Sequence, residues 1–415
     1  MKMKNIVITI IIYVGTGLFA GAHNLCAQSL SFLKVQGKNI VKSDGTTFFI
    51  KGTNLGNWLN PEGYMFGFKK TNSASMIDRM FRQLVGEEAT DEFWAEFKDN
   101  YVTRPDIKFM AECGVNTIRL PLHYKLFTNE DYLGIYAAQD GFKRIDNVVK
   151  WCKENGIYLI LDMHCAPGGQ TGGNVDDSYG YPWLFTDTKS EALLTDIWQK
   201  IAERYKDEPA VLGYELLNEP IEHRDNIDDW DIRYYPFLEP LYKRLTKAIR
   251  SIDSRHIIIL GGARGNTDFS MFKDWKFDNN IIYSCHCYSV TLGVRPYVQF
   301  RDRTGIPMYV GETGHFATLD EQTAMSESFI ANNLGYTYWP YKKYKLGGSF
   351  VWFAADDNWQ EVIDFAESDR STYAAIRKAR PDQTKAREAM KAFVRNCLFE
   401  NCTKDENYIR ATKLK

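Results

Sequence analysis

The chain alternates short apolar segments with longer amphipathic ones, and this alternation limits it to an α/β fold. Eight apolar segments have the length of buried strands, and the stretches between them carry apolar residues at helical spacing. Strands separated by helices run parallel, so we expect a (β/α)8 TIM barrel; an open doubly wound sheet is the alternative, which eight strands disfavour. The predicted strands are residues 49–53, 116–120, 157–163, 211–217, 256–260, 281–285, 307–311 and 349–353.

The segments that flank the barrel are also predictable. Residues 31–50 alternate in polarity around Asp44-Gly45, which predicts a short N-terminal β-hairpin. Lys2 and Lys4 precede an apolar run that ends in small residues, the layout of an export signal. This run is too short to span a bilayer comfortably, so we expect an exported protein without an integral membrane span once the signal is removed. The expected divisions are a signal peptide (1–27), one barrel domain (28–398) and a C-terminal tail (399–415).

Charge and cysteine content restrict the possible partners. The 51 Lys and Arg residues nearly balance 53 Asp and Glu residues without a long basic run, which argues against nucleic acid as a partner. Cys285 and Cys287 flank His286, but side chains alternate between the faces of a strand, so these three cannot converge on one ion. We therefore predict no metal, no cofactor and a monomeric protein.

Two glutamates end apolar segments in the same way. Glu219 follows the run 211–217, and Glu312 ends the run 308–311. A carboxylate at the end of a hydrophobic strand is costly to desolvate, so each needs polar partners or serves in chemistry. The carboxyl ends of barrel strands meet on one face, so the two carboxylates are expected to lie together. Glycosidic bond cleavage requires such a pair, one acid for the leaving oxygen and one carboxylate for the sugar carbon.

The other predicted strand ends carry polar or aromatic residues that suit a sugar site. A single histidine or tryptophan at such a position more often serves core packing, so each residue alone is weak support. Asn218 can bond a sugar 2-hydroxyl, and a tryptophan ring can stack on the apolar face of a sugar. The candidates for substrate binding at these ends are Arg119, His164, Asn218, His286, Tyr288 and Trp352.

Taken together, these segments resemble glycoside hydrolase family 5, a clan of retaining (β/α)8 enzymes. The resemblance covers roughly residues 32–360. It implies that Glu219 is the general acid/base and that Glu312 is the nucleophile. It also implies that Arg119 and Tyr288 keep Glu312 ionised. The matching segments are Gly52-Thr53-Asn54-Leu55-Gly56-Asn57-Trp58-Leu59, Val115-Asn116-Thr117-Ile118-Arg119-Leu120, Asp162-Met163-His164, Asn218-Glu219-Pro220, His286-Cys287-Tyr288, Gly311-Glu312 and Trp352.

The same resemblance suggests a substrate class. Residues 54–65 are similar to the exo-β-1,3-glucanases of the family, in which a glutamate at the position of Glu62 binds sugar hydroxyls in a blocked pocket. Residues 171–185 depart from that pattern and form an aromatic-rich insertion, which either shapes the site or is a surface loop without a binding role.

The expected reaction is retaining hydrolysis of β-glucosidic bonds in β-glucans or their oligosaccharides, with exo action on β-1,3-glucan as the first expectation. A β-1,4-endoglucanase or β-mannanase is the alternative. A glycan-binding protein without catalytic activity is the remote one, because such a protein would normally have lost one of the two carboxylates.

Overall fold

The computed structural model describes residues 30–221, 230–291, 293–315 and 317–415. The predicted signal peptide, residues 1–27, lies outside these ranges. Within them, no helix combines the length and the apolar character needed to cross a membrane. The seven cysteines in these ranges form no disulfide.

A small antiparallel sheet precedes the barrel, as the polarity pattern predicts. Its strands are Lys34–Gln36 (β1), Asn39–Val41 (β2) and Thr47–Phe48 (β3). Gly37 lies in the turn between β1 and β2 with a φ of 57°, a conformation that glycine adopts without steric cost. Ile40 and Phe48 pack against Tyr158 and Ile257, at the amino ends of two barrel strands. The sheet therefore closes the bottom of the barrel.

The centre of the fold is a closed barrel of eight parallel strands. Each strand pairs with the next along the chain, and the last pairs with the first to close the ring. This arrangement confirms the predicted fold class. The strands are Lys51–Asn54 (β4), Thr117–His123 (β5), Tyr158–Cys165 (β6), Val211–Glu215 (β7), Ile257–Gly261 (β8), Ile281–His286 (β9), Met308–Glu312 (β10) and Gly335–Tyr338 (β11).

The eighth barrel strand is not the predicted one, residues 349–353. The barrel closes instead through β11, in which all four residues are buried and whose Thr337 pairs with Gly52 of β4. Trp352 is only half-buried, as expected of a strand with one packed face. It lies in a separate three-stranded sheet made of Lys342–Tyr344 (β12), Val351–Phe353 (β13) and Thr403–Lys404 (β14).

Helices lie around the barrel and bury apolar faces against its strands or against one another. In α4, for example, Ile145, Val148 and Cys152 recur at helical spacing and are fully buried. The helix ends at Gly156, whose φ of 67° is the left-handed conformation of a C-cap. The helices are Ala74–Val85 (α1), Glu87–Asn100 (α2), Arg104–Glu112 (α3), Ala138–Asn155 (α4), Thr188–Tyr205 (α5), Trp230–Arg250 (α6), Ala263–Asn266 (α7), Arg295–Thr304 (α8), Leu319–Ala331 (α9), Trp359–Glu367 (α10), Tyr373–Ala379 (α11), Gln383–Asn396 (α12) and Glu406–Ala411 (α13).

The C-terminal residues, which the sequence divides from the barrel at residue 398, pack against the rest of the described chain. Strand β14 pairs with β13, and α13 packs against α9. Tyr336 of β11 donates from its hydroxyl to the carbonyl of Thr412 at 2.9 Å, and Tyr408 and Leu414 are buried. These apolar and polar contacts hold residues 399–415 against the eighth strand.

Candidate active site

The main candidate site is a cavity of about 420 Å³ at the carboxyl ends of the barrel strands. Segments at or after seven of the eight strands line it, and Arg119 of β5 lies among their polar groups. A cavity of this volume falls within the usual range for small-molecule sites. The lining residues used below are Glu62, Tyr64, His164, Asn174, Val175, Glu219, Arg264, Thr267, His286, Tyr288, Glu312, His315 and Trp339.

Arg119 organises the carboxylates of this region. Its side chain is completely buried, and its guanidinium donates to both oxygens of Glu215 at 2.9 and 3.1 Å and to Glu312 Oε1 at 2.7 Å. It also donates to Asn218 Oδ1 at 2.8 Å and lies 3.1 Å from Asp162 Oδ2. Burial opposes the charge, but the surrounding carboxylates outweigh it and raise the pKa of Arg119 well above its ordinary value.

Glu312 has a donor on each carboxyl oxygen. Arg119 donates to Oε1, and the Tyr288 hydroxyl donates to Oε2 at 2.7 Å. Burial and the Glu312 charge raise the pKa of Tyr288 well above 10, so its hydroxyl keeps the proton that it donates. Both carboxyl oxygens of Glu312 therefore accept a hydrogen bond from a neighbouring side chain. The structure therefore brings Glu312 together with Arg119 and Tyr288, the two residues that the resemblance associates with it.

The His286 imidazole contacts both Glu219 and Glu312. His286 Nδ1 is 2.7 Å from Glu219 Oε1 and 3.5 Å from Glu312 Oε2. One oxygen of Glu219 and one oxygen of Glu312 lie within 4.8 Å of each other. Burial alone would lower the pKa of His286, but Glu312 and Glu219 outweigh it, so the pKa is raised above 6.5.

The backbone that carries Glu219 has an unusual conformation. Glu219 has a φ of 42° and Ile221 a φ of 56°, in the left-handed region that a β-branched residue such as isoleucine rarely occupies. Gln170 holds this turn, because its side-chain amide donates to the Asn218 backbone carbonyl at 2.9 Å and its backbone carbonyl accepts from the Ile221 N–H at 2.8 Å. Tertiary contacts thus position the glutamate in a conformation that is locally disfavoured.

His164 and Asn218 lie beside the two glutamates. His164 Nδ1 donates to Asp162 Oδ2 at 2.8 Å, and Nε2 lies 3.4 Å from the Asn218 amide nitrogen. Burial lowers the pKa of His164 to about 4, so the ring is neutral at higher pH and its Nε2 can accept the amide proton. The two partners fix both the tautomer of His164 and the orientation of the Asn218 side chain.

The aromatic floor of the cavity is Trp339, and Trp352 does not line the cavity. Trp339 follows β11 directly, and its ring stacks on His164 with centroids 5.4 Å apart and planes 5° apart. Its Nε1 donates to the Tyr64 hydroxyl at 2.6 Å. The structure thus places Trp352, predicted at the end of the eighth strand, outside the cavity and Trp339 inside it. A strand-like run at 336–338 that ends in Trp339-Pro340 is the sequence signal that could have identified it.

Glu62 lies in the cavity wall, as the sequence predicts. Its side chain is buried, and Tyr64 from the same segment lines the cavity beside it. The insertion 171–185 contributes Asn174 and Val175, so it does shape the site. Asp176 of the insertion forms a hydrogen bond within its own loop, in which its Oδ2 accepts from the Thr171 backbone N–H at 2.7 Å.

Three residues beneath the cavity were not among the sequence candidates. Glu215 and Asp162 flank Arg119, and Asn54 donates to the Gly311 carbonyl at 3.1 Å. All three are completely buried. Each lies on a predicted strand or at its end, and a buried carboxylate or amide within an apolar run is the signal that identifies them.

Three of the described residues have possible metal-ligand atoms that all lie within 4.8 Å of one another. They are Glu219, His286 and Glu312. Two ligands of a tetrahedral zinc lie about 3.3 Å apart, given bond lengths near 2.0–2.1 Å. The 2.7 Å contact between His286 Nδ1 and Glu219 Oε1 is shorter and is a direct hydrogen bond. Cys285 and Cys287 are buried, with their thiols against the carbonyls of Tyr309 and Ser289, and they provide no ligands to this group.

Comparisons with known proteins agree with this geometry. The family model of cellulase (glycosyl hydrolase family 5) matches residues 75–345, more than half of the chain. A beta-xylosidase from Phanerodontia chrysosporium is 32% identical over 266 residues, covering 63% of this chain and 52% of that protein. Endoglucanase C from Acetivibrio thermocellus is 32% identical over 198 residues, covering 48% and 53%. A probable glucan 1,3-beta-glucosidase A from Aspergillus fumigatus is 25% identical over 268 residues, covering 62% and 60%.

The chain spans about half the length of the first two of these relatives. Among solved structures, an endogalactoceramidase superposes with a TM-score of 0.57 at 22% identity, covering 76% of this chain and 75% of the other. A rutinosidase from Aspergillus niger superposes with a TM-score of 0.57 at 18% identity, covering 73% and 91%. At such identities the superpositions establish the fold alone, whereas the family model also confirms the predicted family. The chain belongs to glycosyl hydrolase family 5, the cellulase family.

Proposed function

We propose that this protein is a retaining glycosidase that cleaves β-glucosidic bonds through a covalent intermediate on Glu312. The observation that carries the proposal is the distance between the two acids, whose nearest paired oxygens lie within 4.8 Å. Retaining glycosidases place their carboxyl groups about 5–5.5 Å apart, whereas inverting enzymes need roughly 6.5–9.5 Å to hold a water molecule. The short distance supports direct attack by a carboxylate.

The surroundings of each glutamate support different roles. Arg119 and Tyr288 donate to the two oxygens of Glu312, which suits a nucleophile that must be ionised. Glu219 contacts the His286 imidazole through one carboxyl oxygen, which suits an acid that gives up and regains a proton. In the first step Glu219 protonates the leaving oxygen while Glu312 attacks the anomeric carbon. In the second, Glu219 removes a proton from the water that displaces Glu312.

The remaining site residues would bind the reacting sugar. Asn218 is oriented by Arg119 and lies beside Glu219, where its amide can bond the 2-hydroxyl as the transition state forms. Trp339 presents an aromatic face under this position. All the proton transfers are assigned to these side chains, so we propose that catalysis requires no metal or cofactor.

We further propose exo action on β-1,3-glucan. Glu62, Tyr64, Asn174 and Val175 line the cavity together with the two acids, which supports a pocket bounded beyond the cleaved sugar. The similarity to a glucan 1,3-beta-glucosidase agrees with this proposal. The second candidate is β-1,4-endoglucanase activity, favoured by the higher identity to an endoglucanase. We also propose that the protein is exported and acts as a monomer, on the basis of its N-terminal sequence pattern and the completeness of the site within one chain.

Two glutamate variants test the chemistry. Glu312→Gln should lower kcat by several orders of magnitude on every β-glucoside. Glu219→Gln should do so on natural glycans but much less in the first step of an aryl glucoside, whose leaving group needs little protonation. Glu388→Gln, on the exposed face of α12, is the matched control and should keep full activity. Near-normal glycan hydrolysis by either site variant would refute the assignment.

A substrate panel tests the specificity. Laminarin, barley mixed-linkage glucan, carboxymethylcellulose and glucomannan are incubated with the wild type, and the products are sized over time. Glucose released alone from laminarin supports exo action on β-1,3-glucan. A ladder of oligosaccharides from a β-1,4-linked polymer supports the second candidate instead.

A further inference from the structure

The insertion after β6 carries aromatic rings that the catalytic site does not use. Tyr181 and Trp183 are 36% and 46% exposed, and Phe237 on the neighbouring helix α6 is 46% exposed. With the buried Tyr234 between them, these residues form a continuous group that we call the aromatic ledge. Single exposed aromatic residues are common on protein surfaces, but a contiguous exposed group marks an interaction surface.

The ledge is rigidly built. The rings of Tyr181 and Trp183 lie 4.5 Å apart, and the Tyr181 hydroxyl hydrogen bonds to that of Tyr234. The ring of Phe237 lies 6.2 Å from that of Tyr234, one turn away on α6. The backbone N–H of Trp183 donates to the Gly168 carbonyl at 3.1 Å, which connects the ledge to the segment just before the insertion. Because these rings are already held in place by their neighbours, they lose little conformational entropy when a ligand binds.

Segments that line the catalytic cavity flank the ledge on both sides. The insertion itself lines the cavity through Asn174 and Val175. On the other side, the Tyr235 hydroxyl of α6 donates to Asp268 at 2.8 Å, and the adjacent Thr267 lines the cavity. Helix α6 also follows β7, the strand that precedes Glu219. Both segments that carry the ledge therefore connect directly to the cavity lining, and one of them follows the strand that leads to Glu219.

We propose that the aromatic ledge binds sugar residues on the leaving-group side of the cleaved bond, outside the catalytic cavity. This inference rests on the proposed glycosidase function and specifies where the rest of the glycan lies. Aromatic faces stack on the C–H faces of pyranose rings, and tyrosine hydroxyls supply hydrogen bonds at the ring edges. The four ledge residues carry no charge, which favours a neutral glycan. In an exo-acting enzyme the polymer extends on this side, so the ledge would hold the chain while its terminal sugar occupies the cavity.

Kinetics on substrates of different length test the inference. We expect Trp183→Ala and Phe237→Ala each to lower kcat/KM for long laminari-oligosaccharides about five- to tenfold, the usual loss for a truncated contact residue. Hydrolysis of 4-nitrophenyl β-glucoside, which reaches little beyond the cavity, should change less than twofold. Trp183→Phe should restore most of the loss. Tyr373→Ala, an 82% exposed aromatic on α11, is the matched control and should have no effect. Equal losses on the aryl glucoside would overturn the inference.

Binding without hydrolysis separates this inference from the proposed function. The Glu312→Gln protein is run in native gels that contain each of the four polysaccharides of the panel. Retardation that Trp183→Ala and Phe237→Ala both weaken supports the ledge, even if the wild type cleaves none of the polymers. If neither Trp183→Ala nor Phe237→Ala changes the retardation, or if no gel retards the protein, the ledge proposal is overturned. Wild-type activity on the aryl glucoside would still support the proposed glycosidase function in that case. Ring-dependent binding to phosphatidylcholine vesicles alone would assign the surface to lipid instead and also overturn it.

Discussion

Replacing Arg119 by methionine should lower both stability and activity, for separable reasons. Methionine approximates the length of the side chain but carries no charge, so Glu215 and Asp162 would lose their completely buried cationic partner. Removing one partner of a buried ion pair costs about 3–5 kcal/mol. A chain of this size shifts its Tm by about 2 °C per kcal/mol, the low end of the usual range. We therefore expect the Tm to fall by about 6–10 °C.

The loss of activity comes from a different contact. Glu312 Oε1 accepts a hydrogen bond from Arg119 at 2.7 Å, and a hydrogen bond to a charged group contributes roughly 1.5–3 kcal/mol. Its removal should lower kcat/KM about 10- to 100-fold, since about 1.4 kcal/mol corresponds to a factor of ten. The double variant Arg119→Met/Glu215→Gln separates the effects. The neutral amide at position 215 needs no cation and can still accept from the Tyr309 hydroxyl, so the part of the stability lost at this position should return while the activity does not.

Thermal unfolding by circular dichroism and hydrolysis of 4-nitrophenyl β-glucoside measure the two effects. The matched control is Arg104→Met, which removes an exposed arginine paired with Glu154 at 2.8 Å. Such a surface pair contributes about 0–1 kcal/mol, so the Tm should change by no more than about 2 °C and the activity not at all. An Arg119→Met protein that melts with the wild type would contradict the stability argument. Recovery of activity in the double variant would contradict the role at Glu312.

Three further predictions follow from the fold and the site. Trp339→Ala should lower kcat/KM on aryl glucosides at least tenfold because it removes the cavity floor, whereas Trp352→Ala should leave it within twofold; equal effects would restore the original assignment. Burial lowers the pKa of His164 to about 4, so between pH 6.5 and 4 only the unfolded chain takes up a proton on this imidazole. The free energy of unfolding therefore decreases by up to about 3 kcal/mol as the pH is lowered from 6.5 to 4. Urea unfolding at pH 4.5 and 7 should show a smaller pH difference in His164→Asn, and an unchanged difference would contradict this. Truncation after residue 402 exposes the surface covered by Tyr408 and should lower the Tm by several degrees, with soluble wild-type-like melting as the contrary result.

Seven of the eight barrel strands and the group of charged and polar residues around the two glutamates were predictable from the sequence. Their apolar segments are short and separated by helices, and barrel topology brings the carboxyl ends together whatever the details of the packing. Knowing that Glu219 and Glu312 end two such strands is therefore sufficient to place them on one face. The same argument placed Arg119, His164 and His286.

The eighth strand and its tryptophan could not be chosen by the same argument. Residues 335–338 and 349–353 are both short, aromatic and β-branched, and nothing local distinguishes the one that pairs with β4. That choice depends on contacts nearly 300 residues apart, such as Tyr338 with Thr53. The loop contacts, among them the Gln170 bridge to Asn218, are equally non-local. Sequence patterns locate elements, but tertiary packing decides which of two similar elements is used.

The attachment of the C-terminal residues to the eighth strand also sets the order in which the enzyme can be completed during synthesis. Strand β11 lies directly before Trp339, and it is held by the carbonyl of Thr412 and by the burial of Tyr408. A ribosome makes these residues some 70 positions after Trp339. A nascent chain that already contains both glutamates therefore still lacks the support for its sugar-binding floor. The cavity is then complete only after synthesis has passed these residues, well after both glutamates have been made.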